Sequence, residues 1–387
     1  MNKPIYPLLL AFFLSALVSC EPLESGVTAD DTPVVVDPQP PGPPQIDYSK
    51  SNLGDLAMKQ GILLGVSFTY QEYNQNPRVA EILSREFKSV TFGNEMKHDA
   101  IVQSGGALRF DTADRMAEWA KTADAQIFGH VLGWHSQQQR TYLKKLIDNA
   151  NANGTPVSKV IDEAFKSFVF GMVEHFDVYA WDVVNETFAD GSGQFRSRGN
   201  SANDFLWGSY YPSTRDWVDK AFAYATEACA KSGKKPVLYI NDYNLETDPA
   251  KRQAFCAYAK SNSQVTGVAS QMHLDITTAD LKSKIEASLK DLVATGKMVR
   301  ISELDIKNND ETAQAEMIKF IFRKYLEIVP SAQRGGITFW GINDKDSWLG
   351  EQNHPLLWKG TAYEKKEAYT ALYLYLCELN GINPYTE

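Results

Sequence analysis

The sequence predicts a single (β/α)8 barrel, a TIM barrel, on three observations. Short β-rich apolar runs alternate with longer amphipathic stretches, the sign of βα units and a parallel sheet. Eight such runs fall within about 340 residues, which is the arithmetic of an eightfold barrel. In nearly every run the apolar residues come first and polar, chemically capable residues come last. A barrel gathers the carboxyl ends of all its strands at one mouth, whereas a doubly wound sheet gathers them only near one switch point.

Taken in order, the first run spans 62–68 and the second, 89–95, carries Asn94 near its end. A helical pattern over 112–122 precedes the third run, 126–134, which holds His130. A second, over 157–175, leads to 179–186, closing on Asn185 and Glu186. The stretch 214–232 leads to 237–243, with Asn241 and Asp242 near its end. Run 267–274 carries Gln271 and His273, and run 298–306 carries Glu303 and Asp305. A helical pattern over 313–327 precedes the last run, 336–344, which closes on Asn343 and Asp344.

The barrel is assigned to residues 48–387. Ahead of it, Lys3 and the apolar run from Leu8 to Val18 read as a targeting segment, since the run is too short to span a bilayer. Leu17-Val18-Ser19-Cys20 resembles a bacterial lipobox, which implies a signal peptide over 1–19 and lipidation of Cys20. An ordinary secretory peptide with an incidental cysteine is the alternative, and both readings export the protein. Lipid chains hold a protein at a membrane surface without spanning it, so a place at the bacterial cell envelope is expected, with the membrane face open. Residues 20–47, ending in the proline cluster from Pro38 to Pro44, read as an extended linker. The remaining cysteines, Cys229, Cys256 and Cys377, lack zinc spacing, and their odd number rules out a disulfide framework. Whether Cys229 and Cys256 pair is left open.

Net charge is −9 with both signs mixed along the chain, so no basic face exists for nucleic acid. A neutral substrate fits better, and 8 Trp, 18 Tyr and 19 Phe suit stacking on sugars. No oligomer signal is visible, and a monomer is expected. Two carboxylates stand out. Glu186 ends the fourth run and Glu303 lies in the seventh, across the barrel mouth from each other. Glycoside cleavage needs one carboxyl to protonate the leaving oxygen and another to meet the oxocarbenium-like centre. Asn185 can donate to a sugar 2-hydroxyl. His273 can hydrogen-bond Glu303 from the neighbouring strand, and Asp305 can orient His273.

These motifs together resemble glycoside hydrolase family 10, the xylanase family, through roughly 60–380. The carrying pieces are 93–97, 129–137, 181–186, 241–244, 271–273, 302–306 and 339–342, in order and each at a strand end. The resemblance implies a (β/α)8 barrel that cuts β-1,4-xylan internally with retention, without a cofactor or metal. It implies Glu186 as acid/base and Glu303 as nucleophile, with sugar contacts from Asn94, Lys97, His130, Trp134, Gln137, Asn185, Tyr243, Gln271, Trp340 and Trp348. Trp340 and Trp348 offer flat apolar faces to a pyranose ring, and the polar loop around Trp348 argues against a core role for it.

Two positions depart from the family pattern: Gly93 where Glu is usual before the Asn, and His98 where Trp is usual after the Lys. Glu95 is a candidate substitute for the lost carboxylate, and a decorated xylose is a candidate occupant of the space. A metal-dependent hydrolase is weighed because His130, His135 and His273 coexist with carboxylates. Five residues apart on an extended strand, His130 and His135 are expected to face opposite sides. A non-catalytic glycan-binding lipoprotein and a retaining β-1,4-glucanase complete the alternatives.

Overall fold

The structure, a computed structural model, describes residues 44–386. The expected signal peptide, Cys20 and most of the expected linker lie outside the described residues. Nine strands fill eight positions of one closed parallel barrel: β1 (Leu64–Phe68), β2 (Ser89–Phe92), β3 (Gln126–Gly133), β4 (Ala180–Asn185), β5 (Val237–Asp242), β6 (Gly267–Ser270), β7 (His273–Asp275), β8 (Met298–Lys307) and β9 (Arg334–Phe339). Pairing runs in sequence from β1 to β6, then β6 to β8, β8 to β9 and β9 back to β1, all parallel. The eight predicted runs are these eight positions. The sixth differs in being broken: Met272, at φ 61°, interrupts it, and β7 resumes beside β8 with His273 opposite Asp305.

The interruption has a partner on β8. From Ile301 to Leu304 β8 advances three residues while β9 advances two, from Ile337 to Phe339. An extra residue of this kind re-aims side chains and is common beside active sites. Here it lets Ser302 and Glu303, adjacent in sequence, both face the barrel interior, where each bonds Asn241. Similar register shifts sit in the β3–β4 pairing between His130 and Gly133 and in the β4–β5 pairing between Asp182 and Val184.

The barrel is filled, not hollow. Phe128, Ala180, Tyr239 and Ala269, from four successive strands, pack together inside it. The Arg300 guanidinium lies 4.1 Å over the Phe128 ring. Gly267 and Gly335 leave room for Tyr239, since a Cβ at either would approach its side chain within 2.4 Å. Outside, the strands meet an amphipathic helical layer. Helix Thr214–Ser232 shows why such stretches fold as predicted: Ser213 caps its start, Gly233 at φ 72° closes it, and Trp217, Val218, Ala221, Phe222, Ala225, Ala228 and Cys229 form its buried stripe. The two ends of the described residues meet as well, Ile46 bridging Tyr385 and the Asp47 N–H donating to the Pro384 carbonyl. Cys229, Cys256 and Cys377 are buried and free. Among the described residues no helix is long and apolar enough to cross a membrane.

Candidate active site

At the carboxyl ends of the strands lies a cleft of about 690 Å³. Of the catalytic and sugar-contact residues expected from sequence, all line it except Asp305, which stands behind His273.

Glu186 follows β4 directly, at φ 57°. A non-glycine residue there costs on the order of 1 kcal/mol or more, so its surroundings must hold it. They do: the Glu186 N–H donates to the Asn241 carbonyl at 3.0 Å, and the Arg196 guanidinium donates to the Glu186 carbonyl at 2.8 Å. Glu186 Oε1 accepts from Gln271 Nε2 at 3.2 Å and from Asn185 Nδ2 at 3.5 Å. Burial pushes this carboxyl above the ordinary glutamate value, and the Asp242 charge adds to the rise.

Glu303 is more deeply buried, and its environment works the other way. Asn241 Nδ2 donates to Oε1 at 2.8 Å, and His273 Nε2 lies 3.3 Å from Oε2. Burial raises its pKa, but the His273 hydrogen bond, the two imidazoles of His130 and His273 and the Asn241 amide outweigh burial, leaving it below the ordinary value. His273 is held by Asp305, Nδ1 to Oδ1 2.8 Å. Burial opposes its charging, but the Asp305 charge and hydrogen bonds to both carboxylates prevail and lift it to about 10. Asp305 in turn accepts the Trp348 indole N–H at 2.8 Å.

Opposite, Lys97 Nζ donates to Gln137 Oε1 at 2.7 Å and Asn94 Oδ1 at 3.4 Å, and lies 5.0 Å over the Trp134 ring. Among the described residues the buried Trp134 indole N–H makes no well-formed hydrogen bond, although Trp134 lies close enough to Glu186 to oppose the rise of its pKa. Trp340 packs edge-on to His130, centroids 5.4 Å apart. Tyr243 is fixed by Arg196, which donates to its hydroxyl at 2.8 Å, and by Asp190, which accepts from it at 2.7 Å.

Three residues that the sequence left in question are placed as follows. His130 lines the cleft and His135 does not, as their spacing implied; His135, beyond the end of β3, nevertheless brings its Nε2 to 3.7 Å from Glu186 Oε2. His98 does not face the cleft: it is buried against Phe168 and Trp207, and its Nδ1 accepts the Gln139 N–H at 3.0 Å. Glu95 does not replace the missing carboxylate, because its oxygens accept the Tyr70 N–H at 2.7 Å and the Asn94 N–H at 3.1 Å. Sequence reading gave no site role to Asn241, Asp182, Glu72 or Asp346. Asn241 was visible as a polar strand end, whereas Glu72 sits in a helix after β1 that carried no motif.

Among the described residues one group could share a cation: His130, Asp182 and Glu303, whose donor atoms lie within 4.8 Å of one another. Several of these atoms are engaged by protein, while Asp182 Oδ1 is buried without a hydrogen-bond partner among the described residues. His130 Nδ1 meets Asp182 Oδ2 at 2.9 Å, and the Asn241 amide reaches both Asp182 and Glu303.

A closed eightfold barrel whose cleft holds two carboxyls of opposite bias, Glu303 buried and Glu186 partly so, walled by side-chain amides and aromatic rings, defines the glycoside hydrolase class. Within it the chain belongs to glycosyl hydrolase family 10, whose family model matches residues 52–374. It is 30% identical over 331 residues to endo-1,4-beta-xylanase Y of Acetivibrio thermocellus, a match covering 77% of this chain and 30% of that protein. It is 34% identical over 305 residues to endo-1,4-beta-xylanase 2 of Claviceps purpurea, covering 76% and 82% respectively. The fold is similar to that of the N-terminal endo-1,4-beta-D-xylanase 10B of Clostridium thermocellum complexed with xylohexaose, with TM-score 0.74, 26% identity, and 83% of this chain and 67% of that one covered. The first curated relatives are much longer than this chain, the matches spanning between 26% and 32% of their length.

Proposed function

We propose that this protein is a retaining endo-β-1,4-xylanase in which Glu186 is the acid/base and Glu303 the nucleophile. The observation that carries the reading is two carboxyls facing one cleft in opposite surroundings: burial and the Asp242 charge raise the Glu186 pKa, while His273, His130 and Asn241 outweigh burial and lower that of Glu303. Such a split assigns acid and nucleophile. Glu186 donates its proton to the glycosidic oxygen as the C1–O bond breaks, and a Glu303 oxygen bonds to C1. Glu186, now ionised, then takes a proton from water, whose oxygen displaces Glu303 from C1. His273 and Asn241 keep Glu303 anionic and aimed. Asn185 and Gln271 hold Glu186 and offer amides to the substrate. The relatives' names and the xylohexaose bound to the structural neighbour support xylan as substrate.

The test is reducing-end release from xylan and from carboxymethyl cellulose, with Glu303→Ala alongside, and the anomer of the first product read by NMR. Xylan cleavage with β-anomer product, lost in the variant, is expected. Cleavage of both polymers at similar rates would broaden the substrate to β-1,4-glycans, since the two sugars differ only by a hydroxymethyl group. No cleavage of either would favour a glycan-binding role. We further propose export and anchoring through lipidated Cys20, supported by the sequence around that residue. Cys20→Ser should move the protein from the membrane fraction to the soluble one.

A further inference from the structure

One end of the cleft is built from Thr69 and Glu72 after β1, Gly93 and Asn94 after β2, and Asp346 after β9. Gly93 leaves the wall there without a side chain. A Cβ would press on the Thr69 methyl at 3.2 Å, so that wall is shaped by the Thr69–Glu72 turn instead. Glu72 has a divided role. Its Oε2 accepts the Thr69 N–H at 2.5 Å and the Thr69 hydroxyl at 2.8 Å, closing a capping box on helix Tyr70–Gln75. Among the described residues no donor reaches Oε1.

The charges at this end are mostly negative. Asp346 Oδ2 accepts the Tyr363 hydroxyl at 2.8 Å, while its Oδ1 is 4.0 Å from Lys345. Lys97 is committed to Gln137 and Asn94. Burial, together with the charges of Asp346 and Glu95, raises the Glu72 pKa. A carboxylate oxygen free of protein donors makes strong hydrogen bonds to neutral hydroxyls, and an anion brought beside two carboxylates is opposed.

We propose that Glu72 determines which xylan chains enter the Gly93 end of the cleft: its Oε1 accepts a sugar hydroxyl there, and with Asp346 it turns away chains bearing an anionic uronate branch while accepting neutral ones. This rests on the xylanase reading above.

The experiment compares kcat/KM for two xylo-oligosaccharides of equal length, one unsubstituted and one carrying a single glucuronate, at low and high salt. The proteins are the unmodified chain, Glu72→Gln and Asp346→Asn. Gln is also a capping-box residue, so Glu72→Gln retains the helix cap. The unmodified chain should favour the neutral oligosaccharide by about tenfold at low salt, and by less at high salt, because exposed charges are screened. Glu72→Gln should lose several-fold on the neutral substrate through KM and gain on the uronate-bearing one. Asp346→Asn should also narrow the preference. A preference unchanged in both variants, or insensitive to salt, overturns the proposal. Failure to cut either oligosaccharide defeats the xylanase reading itself, and this inference with it.

Discussion

Trp348, with 64% of its surface exposed at the cleft rim, donates its indole N–H to Asp305, which is fully buried, at 2.8 Å. A side chain offered to substrate is thereby the last member of a line running Trp348–Asp305–His273–Glu303. On the proposed reading, a sugar that packs on Trp348 would bear on the residues that hold Glu303, the proposed nucleophile.

Trp348→Phe keeps an aromatic face and removes the N–H. Losing one hydrogen bond to a charged group costs about 1.5–3 kcal/mol, less where water can replace the donor. Steady-state kinetics should show kcat/KM on xylan down by about tenfold, with Trp348→Ala worse because the face goes too. Equal activity in Trp348→Phe would show that the indole N–H does not support Asp305.

The two carboxyls should shape a bell-shaped pH profile, its acid limb set by Glu303 below the usual glutamate range and its alkaline limb by Glu186 above it. Asn241→Ala removes a hydrogen bond that favours ionised Glu303, so the acid limb should move to higher pH and kcat should fall about tenfold. Gln271→Ala removes one that favours ionised Glu186, so the alkaline limb should move to higher pH. If either variant shifts the other limb instead, the acid and nucleophile assignments are reversed.

His98 is buried without an ionic partner, and burial pushes its pKa down from 6.5 to about 3. The unfolded chain therefore binds a proton that the folded one resists. The stability from neutral His98 is fully present above about pH 6.5 and is lost as pH falls toward 3, at up to about 1.4 kcal/mol per pH unit. In His98→Asn the amide oxygen can still accept the Gln139 N–H but cannot titrate. Urea unfolding between pH 7 and 5 should show a shallower loss of stability in the variant; parallel slopes would contradict the assignment.

Lys251 and Asp242 form an ion pair at 2.7 Å with both side chains fully buried. Lys251→Met leaves the Asp242 carboxylate without its counter-charge and should destabilise the fold by about 3–5 kcal/mol. Thermal or denaturant unfolding measures this, and Lys251→Met/Asp242→Leu should recover much of the loss. A single variant as stable as the parent would refute it.

Much of the site was legible because strand ends in a closed barrel converge by topology. Glu186, Glu303, Asn185, Gln271 and His273 each close or nearly close an apolar run, and parallel closure brings such ends to one mouth. Glu72 was not legible. It reaches the cleft from a helix after β1, and nothing in its local pattern separates it from an ordinary capping residue.

The sequence by itself determined the eightfold strand–helix alternation, the polarity of the strand ends and the positions of the two carboxyls, because each is written in local periodicity and order. Tertiary structure decided how those groups are aimed and charged. A two-residue period on β8 would turn Ser302 and Glu303 to opposite faces, yet one extra residue against β9 turns both inward. The opposite bias of Glu186 and Glu303 arises from neighbours distant in sequence, Asp242 beside one and His273 and Asn241 beside the other. Registers and through-space fields depend on contacts across the closed barrel, which no single segment of the chain contains.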